Sequence, residues 1–232
     1  MAFREIVAPT VKELFIQQLE GMILSGELRP GDRLPTEREL ADEMKISKTV
    51  VHEGLRELHR LGFLDIASRR GVTVADYAQT GSLETLRAIM DFHGGLPDAK
   101  TAGSILQLRY YLEGPAMEEL AARHTPADMA ALQALQRQAE QAAQEGTDAL
   151  AEALFRYHRG ITFLSGNTIT PLIFNAFATV NLAFWQEYVA AEGAARCLET
   201  LEQFTSYIES GDGKAAAALL RSGLDRFQQD RV

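Results

Sequence analysis

Between residues 10 and 24, Val11, Leu14, Phe15, Leu19, Met22 and Ile23 recur at helical spacing, and Gly26 closes the helix they predict. Arg29-Pro30-Gly31-Asp32 is a turn by composition, and Leu34-Pro35 leads into Thr36-Glu37-Arg38-Glu39. Thr36 and Glu39 are spaced as a reciprocal capping box, and the short helix they start buries Leu40, Ala41 and Met44. Ile46 marks a turn. Ser47 then caps a third helix whose apolar side is Val50, Val51, Leu55, Leu58 and Leu61, with Gly62 ending it. Residues 63–66 and 72–74 predict two short strands joined by Ala67-Ser68-Arg69-Arg70-Gly71, a hairpin with a basic tip. Helix, short helix, turn, helix and basic-tipped hairpin together predict a winged helix-turn-helix over residues 1–76. In that arrangement the N-terminal end of the third helix, beginning near Lys48, enters a DNA major groove about 12 Å wide.

Residues 77–81 read as a linker, and 82–232 as helix after helix. The predicted spans are 82–92, 102–124, 127–145, 148–165, 170–190, 194–210 and 212–229. Thr125-Pro126, Thr147-Asp148 and Thr170-Pro171 supply start signals, and Gly146, Gly166 and Gly211 supply stops. The expectation is a mainly α protein, a winged helix-turn-helix followed by an all-α bundle of six or seven helices.

Composition narrows the picture. The chain has 232 residues and is 46% hydrophobic, enough for a proper core. A single cysteine, Cys197, leaves no disulfide framework and suits a reducing cytosol. Residues 1–30 carry charges throughout, without the apolar core of a signal peptide, and no apolar run approaches the roughly 18 residues of a membrane span. A soluble, cytoplasmic protein without a membrane partner is expected.

The net charge of -9 is unevenly spread. Residues 1–76 carry 11 Lys and Arg against 13 Asp and Glu, a net of -2, and the remainder carries -7. Within 45–71, Lys45, Lys48, Arg56, Arg60, Arg69 and Arg70 face Glu53, Glu57 and Asp65, a net of +3. Local positive potential of that kind suits a DNA-facing surface despite the acidic body. The sequence has no nucleophile with an adjacent base, no paired-carboxylate motif and no phosphate-cradling glycine loop, so an enzyme is not expected.

The run Gly26-Glu27-Leu28-Arg29-Pro30-Gly31-Asp32-Arg33-Leu34-Pro35-Thr36-Glu37-Arg38-Glu39-Leu40-Ala41 resembles the opening of GntR-family bacterial transcription regulators. So does Ser47-Lys48-Thr49-Val50-Val51-His52-Glu53-Gly54-Leu55-Arg56. The C-terminal part is similar to the FCD ligand-binding domain of the FadR subgroup, through Arg109-Tyr110-Tyr111-Leu112-Glu113, Tyr157-His158, Ser165-Gly166-Asn167 and Gly211-Asp212. The resemblance implies a homodimeric regulator, a repressor, that binds double-stranded DNA at a palindromic operator under the control of a small-molecule effector. It puts Arg38, Ser47, Lys48, Thr49 and His52 at the DNA, with the wing at Arg69, Arg70 and Gly71. The family usually has Arg where this chain has Lys48 and His52, and Lys lacks the planar fork that reads guanine.

Many FCD domains hold a metal through an Asp four residues before a His and two later His. Here His158 matches the first His, but Leu154 stands four residues earlier and the later positions fall near Leu201 and Gly223. One imidazole cannot hold a transition metal, so neither metal nor cofactor is expected. The effector class implied is an organic acid or an acyl compound, acyl-CoA included, with Arg109 pairing its carboxylate or phosphate. In the acyl-CoA-binding type, the Ser and Trp of the last helix fall near Arg226 and Asp230 of this chain, a departure from that pattern. His158, Asn167, Trp185 and Tyr188 are the further candidate effector residues, with Asn175, Asn181 and Tyr207 behind them. Arg109 also has Glu113 one turn on as an intramolecular partner, and aromatic residues at helical spacing are ordinarily core. Two readings stay open: an effector-controlled regulator, and a DNA-binding protein whose helical domain only dimerises.

Overall fold

The computed structural model describes residues 8–67, 71–92 and 99–229, and the chain divides into two compact units, 1–92 and 93–232. The first unit holds α1 (Val11–Leu24), α2 (Glu37–Met44), α3 (Lys48–Arg60), β1 (Leu64–Ala67), β2 (Gly71–Val74), α4 (Tyr77–Thr80) and α5 (Leu83–Phe92). Thr36 and Glu39 form the capping box that the spacing predicts, and Thr10 with Glu13 builds a second one at the start of α1. Lys45 turns the chain between α2 and α3 in the left-handed region (φ 56°, ψ 40°), and Ser47 accepts a hydrogen bond from the Val50 N–H at 3.3 Å. The α3 face made of Val51, Leu55 and Leu58 packs on Phe15, Leu19 and Ile23 of α1 and on Leu40 and Ala41 of α2.

Gly54 fixes how closely α1 and α3 approach. A Cβ at that position would overlap the ring of Phe15. The two strands pair antiparallel, with Leu64 opposite Val74 and Ala67 opposite Gly71, and Arg33 bridges to Thr73 at their open side. The predicted wing residues Arg69 and Arg70 lie outside the described residues.

The expected linker over 77–81 is instead largely the helical turn α4, and the first unit continues through α5 to Phe92. Tyr77 meets Phe63 edge-on, with ring centroids 5.7 Å apart. Thr85 and Met90 of α5 are buried, and a Cβ on Gly21 of α1 would come within 3.2 Å of the Phe92 ring. The apolar side of α5 needs a covering surface, and α1 supplies it. Glu20 of α1 is buried beside this helix; burial, reinforced by Asp91 and Glu57, pushes its carboxyl up to about 7.

The second unit is all helical among the described residues: α6 (Ala99–Arg123), α7 (Pro126–Ala142), α8 (Thr147–Leu164), α9 (Thr170–Ala176), α10 (Ala178–Glu192), α11 (Ala194–Glu209) and α12 (Gly213–Gln229). The single helix expected over 170–190 breaks at Phe177 (φ −101°, ψ 16°). Phe174 and Phe177 are both buried, and the break lets each side of it turn its aromatic inward. The long helix α6 is the spine of the unit. The start of α12 lies so close that a Cβ on Gly213 would stand 2.5 Å from the Glu118 Cα. Asp212 caps that start by accepting from the Ala215 N–H at 3.0 Å. Among the described residues, no helix is long and apolar enough to cross a membrane.

Replacing Gly54 with Ala tests the α1–α3 packing. In a solvent-facing helix this change stabilises by roughly 1 kcal/mol. Here the displaced Phe15 ring is expected to reverse the sign, for a net loss of about 1–2 kcal/mol in urea unfolding. A stabilised Gly54→Ala variant would contradict the packing described.

Candidate nucleic-acid interface and ligand cavity

The exposed edge of α3 is built by its buried one. With Val51, Leu55 and Leu58 turned into the core, Lys48, Thr49, His52 and Arg56 stand in solvent. No acidic residue occupies the first turn of α3, so its free N–H groups and Lys48 add to one positive end. Ser47 sits at this end as the N-cap. The His52 Nδ1 lies 2.8 Å from the Glu37 carboxylate, which joins α3 to α2 and leaves Nε2 as the imidazole's other polar atom. Arg38 is exposed on α2, its Nε 3.8 Å from the Asp42 carboxylate. Gly71 opens β2 with φ +80°, a conformation suited to glycine, and a Cβ there would meet the Arg33 guanidinium at 3.3 Å.

In the second unit, α6, α8, α10, α11 and α12 line a partly open cavity of about 40 Å³. Its wall includes Arg109, Leu154, His158, Phe184, Trp185 and Tyr188, with Cys197, Thr200, Leu201 and Phe204 from α11 and Leu220, Gly223, Arg226 and Phe227 from α12. Four predicted effector residues, Arg109, His158, Trp185 and Tyr188, therefore converge there. Asn167 does not. Its Oδ1 accepts from the Ile169 and Thr170 N–H groups at 2.9 and 3.0 Å, so its role is to hold the turn between α8 and α9. Asn175, Asn181 and Tyr207 also lie outside the wall.

Arg109 and His158 of the wall belong to a buried ionic set. The Arg109 Nε donates to Glu113 Oε1 at 2.7 Å, and Glu113 Oε2 lies 2.5 Å from His158 Nδ1. The Arg109 guanidinium also stacks over the Trp185 ring at 4.7 Å. Glu113 and His158 have no exposure and Arg109 has 4%. Burial pushes the Glu113 carboxyl up, but Arg109 and then His158 outweigh it and bring the group down to about 2. Burial holds the His158 imidazole below its usual range, outweighing the pull of Glu113. The carboxylate is thus an acceptor only, so His158 Nδ1 carries the ring proton and donates it, and Nε2 keeps a bare lone pair. Burial also pushes the Cys197 thiol up to about 11, leaving it unreactive.

The positions that the resemblance connects with a metal do meet at this cavity: Leu154, His158, Leu201 and Gly223 all line it. Three of the four offer no donor atom, and the described residues contain no group of three or more His, Cys, Asp or Glu able to hold an ion. The residues present do not fit a metal. What single-residue reasoning missed is Glu113 as the hub, together with the aromatic lining from Phe184, Phe204 and Phe227. The four-residue spacing pointed to the Arg109–Glu113 pair, while the His158 contact comes from 45 residues away and has no local signature.

Glu113→Gln should leave the Arg109 charge buried without its partner, at a cost of about 3–5 kcal/mol in chemical denaturation. The double variant Arg109→Met with Glu113→Leu should lose much less. Equal losses would show that the two charges are not coupled.

Comparison with known proteins places both units. The family described as "Bacterial regulatory proteins, gntR family" matches residues 12–74, and the FCD domain matches residues 104–226. The HTH-type transcriptional regulator Mce2R of Mycobacterium tuberculosis is 31% identical over 132 residues, 57% of this chain and 54% of that protein, so the match spans about half its length. The fatty acid metabolism regulator protein of Klebsiella pneumoniae is 26% identical over 82% of this chain and 77% of its own. LutR of Bacillus subtilis is 24% identical over 89% and 94%. A solved structure titled for Lar, which controls the Listeria monocytogenes agr system, shares the fold at a TM-score of 0.62 and 16% identity, covering 97% of this chain and 98% of that one. The chain is a member of the GntR family of bacterial transcriptional regulators, with a gntR-type helix-turn-helix followed by an FCD domain.

Proposed function

We propose that the protein is a cytoplasmic, homodimeric repressor that binds a palindromic DNA operator and is controlled by a small molecule in the cavity of its FCD domain. The observation that carries the DNA half is the solvent-facing row Lys48, Thr49 and His52 at the positive end of α3, beside Arg38. In this reading Lys48 reaches a guanine edge, Thr49 and the α3 N–H groups hold phosphates, and Ser47 preserves the helix end. His52 gives up or keeps its Glu37 contact as it meets the backbone, and the wing at Arg69, Arg70 and Gly71 tracks the neighbouring groove. A two-fold dimer supplies two such helices one helical turn of DNA apart.

The cavity supports ligand control, because a buried ionic set and unpartnered polar atoms beside an apolar space are costly features for mere packing. Its volume of about 40 Å³ holds only a few heavy atoms, far below an acyl chain, so an acyl-CoA effector is not carried over from the fatty acid regulators. Ligand binding would favour a dimer geometry in which the two α3 helices no longer match the half-site spacing.

An operator duplex can be selected from a random-sequence pool with the purified protein. Lys48→Ala is expected to weaken its binding by about 1–3 kcal/mol, or 5- to 150-fold, in fluorescence anisotropy while circular dichroism stays unchanged. Unaltered affinity would remove Lys48 from the interface. Sedimentation equilibrium giving a monomer on the duplex would remove the dimer.

A further inference from the structure

Arg109 and Glu113 cancel one another, and His158 is neutral, so the buried ionic set has no net charge left to offer an anion. The other cation of the wall, Arg226, is exposed to water, where pairing contributes little. Two buried polar atoms on wall residues have no hydrogen-bond partner among the described residues, His158 Nε2 and Trp185 Nε1. Their rings lie 4.7 Å apart, centroid to centroid, tilted by 39°.

These two atoms ask for opposite things. The His158 proton sits on Nδ1, committed to Glu113, so Nε2 is an acceptor awaiting a donor. The Trp185 indole Nε1–H is a donor awaiting an acceptor. A hydroxyl group satisfies both at once, donating to Nε2 and accepting from Nε1–H. A carboxylate satisfies only the indole, and would bring a second negative charge beside Glu113, whose buried cation Arg109 is already paired. Most of the remaining wall is apolar, from Leu154, Phe184, Leu201, Phe204 and Leu220, and the Tyr188 side chain is hydrogen-bonded to Thr200.

We infer that the FCD cavity takes an uncharged ligand that presents a hydroxyl group to His158 and Trp185 and a small apolar body to the surrounding leucines and phenylalanines. The inference rests on reading the cavity as the effector site, and it replaces the organic acid implied by resemblance with a neutral alcohol function.

Trp185 is the only tryptophan in the chain, so one indole N–H resonance reports on the site. The full-length 15N-labelled protein is titrated separately with propan-2-ol, acetone and sodium acetate at constant ionic strength. The three are nearly equal in size, but acetone has no donor and acetate carries a charge. Propan-2-ol is expected to move the Trp185 indole resonance downfield and saturably, at a midpoint at least about tenfold below those of acetone and acetate. The inference is overturned if acetate saturates at the lower concentration, or if the three act alike. It is also overturned if none moves the resonance by roughly 100 mM, the result of a site that holds only water. The same samples are titrated with operator DNA. A propan-2-ol shift at Trp185 with unchanged operator affinity would keep the ligand assignment and remove ligand control from the proposed function.

Discussion

Glu113 has no exposure to water, and the FCD unit is arranged around that fact. A buried carboxylate is tolerable only when protein groups replace its hydration, and two do so from different helices. Arg109 comes from one turn earlier on α6 and His158 from α8, so the charge ties two of the unit's longest helices together. The same contacts decide the state of the imidazole. Because Glu113 accepts from Nδ1, the other nitrogen is left buried with no hydrogen-bond partner among the described residues. A structural pair on α6 thereby sets the hydrogen-bonding character of the cavity wall.

The DNA-binding unit depends on a steric constraint instead of an electrostatic one. Gly54 lets the Phe15 ring lie directly on α3, which sets the distance between the first helix and the recognition helix. Lys45, in the left-handed region, sets the turn from α2. Once both are fixed, the buried row Val51, Leu55 and Leu58 determines which side chains of α3 face outward. Lys48, Thr49 and His52 are consequences of that registration. The pair between His52 and Glu37 then links the two helices on the outside, where it contributes modestly.

What could be read in the sequence was whatever the chain declares locally. The Thr36–Glu39 capping box, the Ser47 cap and the apolar rows of α1 and α3 depend on residues within one or two turns, and the structure has each of them. The Arg109–Glu113 spacing was legible for the same reason, as was the wing, to within a residue at its strand ends. Features set by distant contacts were not. Phe177 interrupts a segment whose periodicity is helical on both sides, because tertiary packing draws Phe174 and Phe177 inward. Periodicity groups the helix over 82–92 with the bundle, yet its partner is α1 through Gly21 and Phe92. Asn167 had the composition of a polar site residue, but its carbonyl closes its own turn. His158 lies in the cavity wall, while the partner that defines its chemistry lies 45 residues away.

His158 is a neutral imidazole with its proton on Nδ1, held there by an ionised Glu113. Long-range 1H–15N correlation spectra of the full-length protein, recorded from pH 5.5 to 8, test it directly. The account predicts that the His158 ring shows one protonated and one bare nitrogen, assigned as Nδ1–H and Nε2, and that neither shifts across the range. An imidazolium at pH 7, or a proton found on Nε2, would contradict it.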